Sequence, residues 1–200
     1  MAETVDTPTA ILASAAASLR EHTFDDISYR SLGDAVGVSE RTIYRQFPTR
    51  SHLLEGLALW LEETEFPLPA FVTIPQFQAA MRQRFVDFDG SPAFAFVCAR
   101  AASISPTGEA EPTFLTRTVE AMLQTSYPSI DARDLRRVSA TLRYFSSAQF
   151  WARMRTGFDM SGSEISDVFD RTVGQALGRL TSASKTADTM TTSSKPSDTA

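Results

Sequence analysis

Hydrophobic residues recur every three or four positions along most of the chain, a spacing that is typical of amphipathic helices. Near the N-terminus this spacing predicts a helix over Ala10 to Glu21, a second after Ser28, and a third from about Glu40 to Phe47. Gly37 separates the last two, because glycine most easily adopts the left-handed conformation that ends a helix. Two short helices joined by a glycine turn form a helix-turn-helix pattern.

The apolar positions of this segment predict a small core. Ser28 and Ser39 precede the second and third helices, where a hydroxyl can accept a hydrogen bond from a free backbone N–H. Ile43 and Phe47 lie four residues apart and should face inward together. The other residues expected in this core are Phe24, Ile27, Leu32, Ala35, Val36 and Val38.

The remainder of the chain predicts a larger helical body. A fourth helix should run from Thr49 to Thr64, and the prolines between Phe66 and Pro75 mark a loop. Further helices are predicted over Gln76–Phe88, Pro92–Ser103, Pro112–Ser126, Ala132–Arg155 and Ser163–Leu180. The pattern contains no clear strand, so we expect an all-α fold of about nine helices.

The ends of the chain are polar. Met1 to Thr7 is expected to be a mobile leader, and Thr181 to Ala200 has almost no large apolar residues. Such a segment cannot bury enough apolar surface to offset its ordering entropy, so we expect disorder there. The predicted domains are a helix-turn-helix head over residues 1–48, a helical body over residues 49–183, and a disordered tail over residues 184–200.

The formal net charge of −5 does not suggest a protein that coats nucleic acid with its whole surface. The segment from Ser28 to Gly56 nevertheless carries four arginines, Arg30, Arg41, Arg45 and Arg50. Electrostatic footprints are local, so an acidic total does not exclude DNA. The single cysteine excludes an intrachain disulfide, and no signal peptide or membrane-spanning run is visible. We therefore expect a cytoplasmic protein.

The segment from Phe24 to Leu57 resembles the TetR (tetracycline-repressor) family of bacterial regulators. The residues that carry the resemblance are Ile27-Ser28, Leu32 to Ser39, Thr42-Ile43-Tyr44, Phe47, Arg50 and Leu53-Leu54. The resemblance implies an N-terminal DNA-binding head and a body that often holds a small-molecule pocket. It also implies a homodimer formed by the last two long helices, and repression as the default activity. Glu40 and Arg41 depart from residues common in the family, which affects the operator sequence rather than the fold.

The candidate DNA-binding residues lie at the starts of the second to fourth helices. Arg41 can pair with guanine, Glu40 with cytosine, and Thr42 with thymine or phosphate. The alternatives are a phosphate contact or solvated charge for Arg41, and a helix-start acid for Glu40. Tyr44 and Arg50 resemble phosphate-binding positions of the family, although Tyr44 could instead be a half-buried packing residue. The full set is Ser28, Arg30, Ser39, Glu40, Arg41, Thr42, Tyr44, Arg45 and Arg50.

Many aromatic residues of the body must be ordinary core, and others could line an apolar pocket between helices. The family resemblance favours the pocket and implies a small, mainly apolar or aromatic effector. Cys98 is expected to be a small buried apolar residue rather than a sensor thiol. Arg84 and Arg100 could bind an acidic effector, with solvated charge as the alternative. The candidate effector-binding residues are Trp60, Phe77, Met81, Phe85, Phe94, Cys98, Leu115, Met122, Tyr144 and Trp151.

The chain has no metal-ligand spacing, phosphate loop or nucleophile motif, which argues against an enzyme and predicts no cofactor or metal. The favoured function is a repressor that binds double-stranded operator DNA as a homodimer and is released by an effector. One alternative is a regulator without an effector, controlled by a protein partner or acting as an activator. Another is a helix-turn-helix used only for protein contacts, which the exposed arginines argue against.

Overall fold

The computed structural model of the protein describes residues 6–103 and 114–192, with side chains described as far as Leu180. Within these ranges the chain folds into ten α helices and one short 3-10 turn, Phe24–Asp26, with no strand. This confirms the predicted all-α class. The helices are α1 Thr7–Ser18, α2 Tyr29–Val36, α3 Glu40–Gln46, α4 Arg50–Thr64, α5 Ile74–Gly90, α6 Pro92–Ala101, α7 Phe114–Ser126, α8 Ala132–Phe145, α9 Ala148–Phe158 and α10 Gly162–Thr192.

The first helix begins earlier than its alanine content alone suggested. The carboxylate of Asp6 accepts a hydrogen bond of 2.9 Å from the backbone N–H of Thr9 and so caps α1. Helix α1 therefore starts at Thr7, which corrects the predicted end of the leader, while residues 1–5 lie outside the described ranges. Its inward face, including Ile11 and Ala15, is fully buried against α2 and α4.

Aromatic residues form much of the core of the body. The ring centroids of Phe85 and Phe169 lie 5.6 Å apart, and those of Phe88 and Trp151 also lie 5.6 Å apart. These contacts join α5 to α9 and α10. Edge-to-face or tilted aromatic pairs at such distances stabilise a core beyond the area that they bury. The buried residues of head and body form one continuous cluster, so the packing of α4 against α6 joins the two parts.

The predicted helix Ala132–Arg155 is wrong as a single element, because the chain breaks at Ser146 and Ser147. The Ser146 hydroxyl donates to the Leu142 carbonyl at 2.7 Å, and the Ser147 hydroxyl accepts from the Phe150 N–H at 3.1 Å. Side chains that bond the backbone in this way compete with the helical ladder and start a new helix. The result is two helices, α8 and α9.

The last helix is longer than predicted. Helix α10 runs from Gly162 to Thr192 and so continues beyond the predicted end at Leu180, while the domain boundaries and the disordered tail stay predictions. Once a helix is nucleated, each added residue gains one hydrogen bond, and a polar but helix-compatible sequence can continue it. Residues 193–200 lie outside the described ranges. No helix in the described part of the chain has the length and hydropathy needed to cross a membrane.

Candidate nucleic-acid interface

The helix-turn-helix forms through the local features that its sequence predicted. The Ser28 hydroxyl accepts from the Ser31 N–H at 3.0 Å, and the Ser39 hydroxyl accepts from the Thr42 N–H at 3.2 Å. Gly37 ends α2 with φ of +76°, in the left-handed region. Both predicted N-caps and the glycine turn are therefore confirmed.

The turn between α2 and α3 passes very close to α2 at Gly33. A Cβ atom on this glycine would lie 2.7 Å from the Val38 carbonyl oxygen, which is too close for a real contact. The backbone also bonds across this point, since the Val38 N–H donates to the Gly33 carbonyl at 2.9 Å. Gly33 therefore allows the close approach that fixes α3 relative to α2.

Buried residues on one side of α3 hold this helix against the core of the head. Ile43 is fully buried and Phe47 is 8% exposed, as predicted. Leu32 is also buried, whereas Ala35 is exposed, so its predicted place in the α2 core stripe is wrong. The chain therefore fixes one face of α3 and leaves the opposite face to solvent.

The exposed face of α3 carries three of the predicted DNA-binding residues, Glu40, Arg41 and Arg45. Thr42 is half-buried, and its hydroxyl lies 2.9 Å from that of Ser39. Both hydroxyls therefore lie at the N-terminal end of α3 and help to stabilise the start of this helix. On α2 and its cap, Arg30 and Ser28 are exposed, and the Ser28 hydroxyl is engaged with Ser31.

Tyr44 is partly packed and partly exposed, and its contact with phosphate stays a prediction. Its side chain is 52% exposed, while its ring packs edge-on against Tyr29 with centroids 4.6 Å apart. Tyr29 is buried and donates its hydroxyl to the Phe47 carbonyl at 2.8 Å. Burial raises the pKa of the Tyr29 phenol, with the positive charge of Arg50 opposing this shift. The Tyr29 ring thus holds the ring of Tyr44 in position, while about half of the Tyr44 residue stays exposed.

Arg50 has a different environment from the phosphate contact that its position suggested. Its guanidinium donates hydrogen bonds to the backbone carbonyls of Phe24 and Ile27. It also stacks on the Phe24 ring, with 4.3 Å between the guanidinium carbon and the ring centroid. Arg50 therefore ties the first turn of α4 to the segment before α2, and its contact with phosphate stays a prediction.

A second arginine joins the body to the same segment. Arg100, near the end of α6, donates to the Asp25 carboxylate at 2.9 Å, and its guanidinium carbon lies 5.7 Å from the Phe24 ring centroid. This hydrogen bond lowers the pKa of Asp25 and raises that of Arg100. The sequence did not reveal this link, because its partners are 75 residues apart and no local pattern connects them.

Most of the residues predicted to bind an effector lie in the core. Phe77, Met81, Phe85 and Trp151 have no exposed surface, and Phe94 is 6% exposed. All five belong to the hydrophobic core, and their contact with an effector stays a prediction. Trp60 also packs against this core. Met122 and Tyr144 each line a different surface groove. Of the ten predicted effector-binding residues, only Cys98 and Leu115 line the cavity described in the next paragraph.

The body contains a partly enclosed cavity of about 450 Å³. Its lining comes from α4, the α4–α5 loop, α5, α6, α7 and the junction of α8 with α9. Its apolar lining includes Leu59, Pro67, Leu68, Cys98, Phe114, Leu115 and Ala148. Among the described residues, its charged lining is Glu62, Glu63, Arg84 and Arg143. Sequence reasoning missed Glu62 and Arg143, which lie on different helices and meet only in the folded chain.

Two polar residues of the cavity, Cys98 and Arg84, are buried. Burial, together with the Glu62 carboxylate, raises the pKa of the Cys98 thiol to about 12, with Arg84 opposing the shift. Arg84 was expected to be solvated if it bound no effector, but it is only 7% exposed. Its guanidinium donates to the Phe66 carbonyl at 3.1 Å and pairs with Glu62 at 3.1 Å. Cys98 is therefore buried and held in the thiol form, consistent with its predicted apolar role.

Helix α3 exposes a face that carries arginines and buries the opposite face, and a glycine turn joins it to α2. These are the features of a helix-turn-helix DNA-binding protein. Comparison with protein families supports this class directly. Residues 11–57 match the family model for "Bacterial regulatory proteins, tetR family". Residues 11–57 therefore form a DNA-binding domain of the tetR type, which confirms the resemblance seen in the sequence. The protein is a DNA-binding transcriptional regulator.

Comparison with solved structures finds similarity to the crystal structure of "the putative transcriptional regulator from Pseudomonas aeruginosa PAO1". The two chains share 14% sequence identity with a TM-score of 0.47, over 86% of this chain and 91% of the other. The search of curated proteins finds no match.

Proposed function

We propose that the protein is a dimeric transcriptional repressor whose affinity for its operator falls when a small molecule binds in the helical body. The head, residues 1–48, binds DNA, and the body from residue 49 onward carries the effector site and the dimer interface. The observation that carries the proposal is the exposed face of α3, where Arg41, Tyr44 and Arg45 project from a helix fixed by buried Ile43.

The residues of α3 divide by position into base readers and phosphate contacts. The N-terminal turn of a recognition helix enters the major groove, so we assign Glu40, Arg41 and Thr42 to base edges. Tyr44 and Arg45 follow, where a hydroxyl and a guanidinium suit phosphate. Arg30, at the start of α2, adds a further phosphate contact, with Ser28 and Ser39 mainly supporting the helix starts.

The proposed dimer uses α8 and α10. A groove between these helices has apolar members, Val138, Ala176 and Leu180, beside the charged residues Asp134 and Arg179. In a two-fold interface the same patch meets itself, so an acid on one subunit can face an arginine on the other. Two linked heads then require two half-sites, about 34–36 Å apart, on a pseudo-palindromic operator.

The proposed effector acts through two structural connections between cavity and head. Helix α4 contributes Leu59 and Glu62 to the cavity and Arg50 to the head, and α6 contributes Cys98 to the cavity and Arg100 to the head. A ligand that prefers one arrangement of these helices must alter operator affinity by the same free energy. A movement of α4 and α6 would change the separation of the two heads.

The DNA-binding part is tested with an operator selected from random sequence and then mutated base by base. We expect Arg41→Ala to cost about 1–3 kcal/mol on the best operator and to flatten the preference at the base pairs that Arg41 reads. Arg45→Ala, in the same helix, should weaken all operators alike and reduce the salt dependence of binding. If Arg41→Ala weakens every operator variant equally, Arg41 does not read bases. If binding shows no salt dependence at all, the proposed DNA surface is wrong.

A further inference from the structure

The placement of charge in the body cavity indicates which class of molecule it binds, an inference that rests on the proposed effector function. Arg84 is more buried than either acidic residue of the described lining. Its side chain is 8% exposed, against 43% for its partner Glu62, and Glu63 is exposed. The most buried charge of the described lining is therefore positive.

Arg84 is only partly satisfied by its surroundings. Its two terminal nitrogens bond the Phe66 carbonyl and the Glu62 carboxylate, and its ring neighbour is Phe88, 5.1 Å from the guanidinium carbon. Its Nε atom is buried and has no hydrogen-bond partner among the described residues. A buried donor without a partner is costly, and an acceptor supplied by a ligand would remove that cost.

Arg143 brings a second guanidinium to the same cavity from α8. Burial lowers the pKa of Arg143, the charge of Arg84 acts in the same direction, and Glu62 opposes both. Both guanidinium groups therefore lie within the electrostatic field of the Glu62 carboxylate. Desolvated cations in a protein interior are stabilised by a hydrogen-bonded anion, and the guanidinium fork matches a carboxylate particularly well.

The remaining lining is apolar, with Leu59, Leu68, Leu115 and Ala148 from four different segments. A volume of about 450 Å³ is within the usual range for small-molecule sites. We propose that this cavity binds an amphipathic organic carboxylate, with its charged head at Arg143 and Arg84 and its apolar body against the leucines.

The proposal is tested by calorimetry on the full chain with matched pairs of probes. Octanoate, decanoate and 4-phenylbutyrate are compared with octan-1-ol, decan-1-ol and 4-phenylbutan-1-ol, which have the same apolar body without the charge. We expect each carboxylate to bind one site per chain at least about tenfold more tightly than its alcohol, as charge-assisted hydrogen bonds imply. Octylamine, with the opposite charge, should not bind measurably.

Variants separate the cavity from general surface charge. Arg143→Gln should remove most of the preference for carboxylate over alcohol, and Arg143→Lys should restore part of it. Arg136→Gln changes an exposed arginine of the same helix and should leave the preference intact. Far-UV circular dichroism checks that each variant is folded, and Arg84 is left unchanged because its hydrogen bonds also support the core. Equal binding of alcohols and carboxylates, absence of carboxylate binding, or equal effects of Arg143→Gln and Arg136→Gln would overturn the proposal.

Operator titration with and without decanoate distinguishes this inference from the proposed function. If decanoate binds through Arg143 but leaves operator affinity unchanged, the ligand class stands and the effector mechanism fails. If operator affinity responds only to neutral compounds, the effector mechanism stands and the carboxylate inference fails.

Discussion

Replacing Arg50 tests whether this arginine stabilises the head or contacts phosphate. In Arg50→Ala the Phe24 and Ile27 carbonyls lose their donors, and Phe24 loses a stacked guanidinium. Hydrogen bonds to a charged group contribute about 1.5–3 kcal/mol each, and a cation–π contact about 0.5–1 kcal/mol. Water can replace part of this at a half-buried site, so we expect a loss of about 2–3 kcal/mol in the free energy of unfolding.

The assay is urea unfolding followed by far-UV circular dichroism, with thermal unfolding as a second measurement. A loss of this size should lower Tm by about 2–4 °C for each kcal/mol in a chain of this length. In Arg50→Lys the charge is kept, but lysine has no planar fork of donors that could bond both carbonyls. This variant should therefore recover little of the lost stability. Arg45→Ala, at an exposed position, should change stability by less than about 0.5 kcal/mol.

A phosphate contact makes the opposite set of predictions. Arg50→Ala would then leave the unfolding midpoint unchanged and reduce the salt slope of operator binding by about one charge, and Arg50→Lys would largely restore binding. Observation of that pattern would refute the role that we derive from the Phe24 and Ile27 contacts. Under our interpretation, operator affinity falls only because the head is less stable.

Two further predictions concern titratable groups. With a pKa of about 12, the Cys98 thiol should react with Ellman's reagent at pH 8 far more slowly in the native protein than in urea, and equal rates would contradict its burial. The lowered pKa of Asp25 means that its pair with Arg100 stabilises the fold above the unfolded pKa of about 3.9 and is lost as pH falls through the lower folded value. Thermal unfolding of Arg100→Ala and the parent chain should therefore differ slightly at pH 7 and converge below about pH 4, and a constant difference would count against the pair.

The helix-turn-helix was predictable because its determinants are local. Ser28 and Ser39 cap helices that begin one residue later, and Gly37 adopts its turn conformation within the same short segment. Ile43 and Phe47 needed only helical spacing to be recognised as core. Each of these effects acts over a few residues, so the sequence contains all of the information that it requires.

The break between α8 and α9 shows where local information becomes ambiguous. Apolar spacing continues through Ser146 and Ser147, and serine is compatible with either a helix or a cap. The chain breaks here because the Ser146 hydroxyl donates to the Leu142 carbonyl and the Ser147 hydroxyl accepts from the Phe150 N–H. Packing of α9 on α6 and of α8 on α7 then places the two helices against different neighbours.

By itself, the sequence determined the helical class, the family of the head, and the identity of the exposed residues on α3. The tertiary structure decided the direction of Arg50, the contact of Arg100 with Asp25, and the meeting of Arg84 with Arg143 in one cavity. The physical reason is distance along the chain. Caps, turns and helical stripes depend on neighbours a few residues away, whereas the environment of a long arginine side chain depends on which distant helices pack beside it.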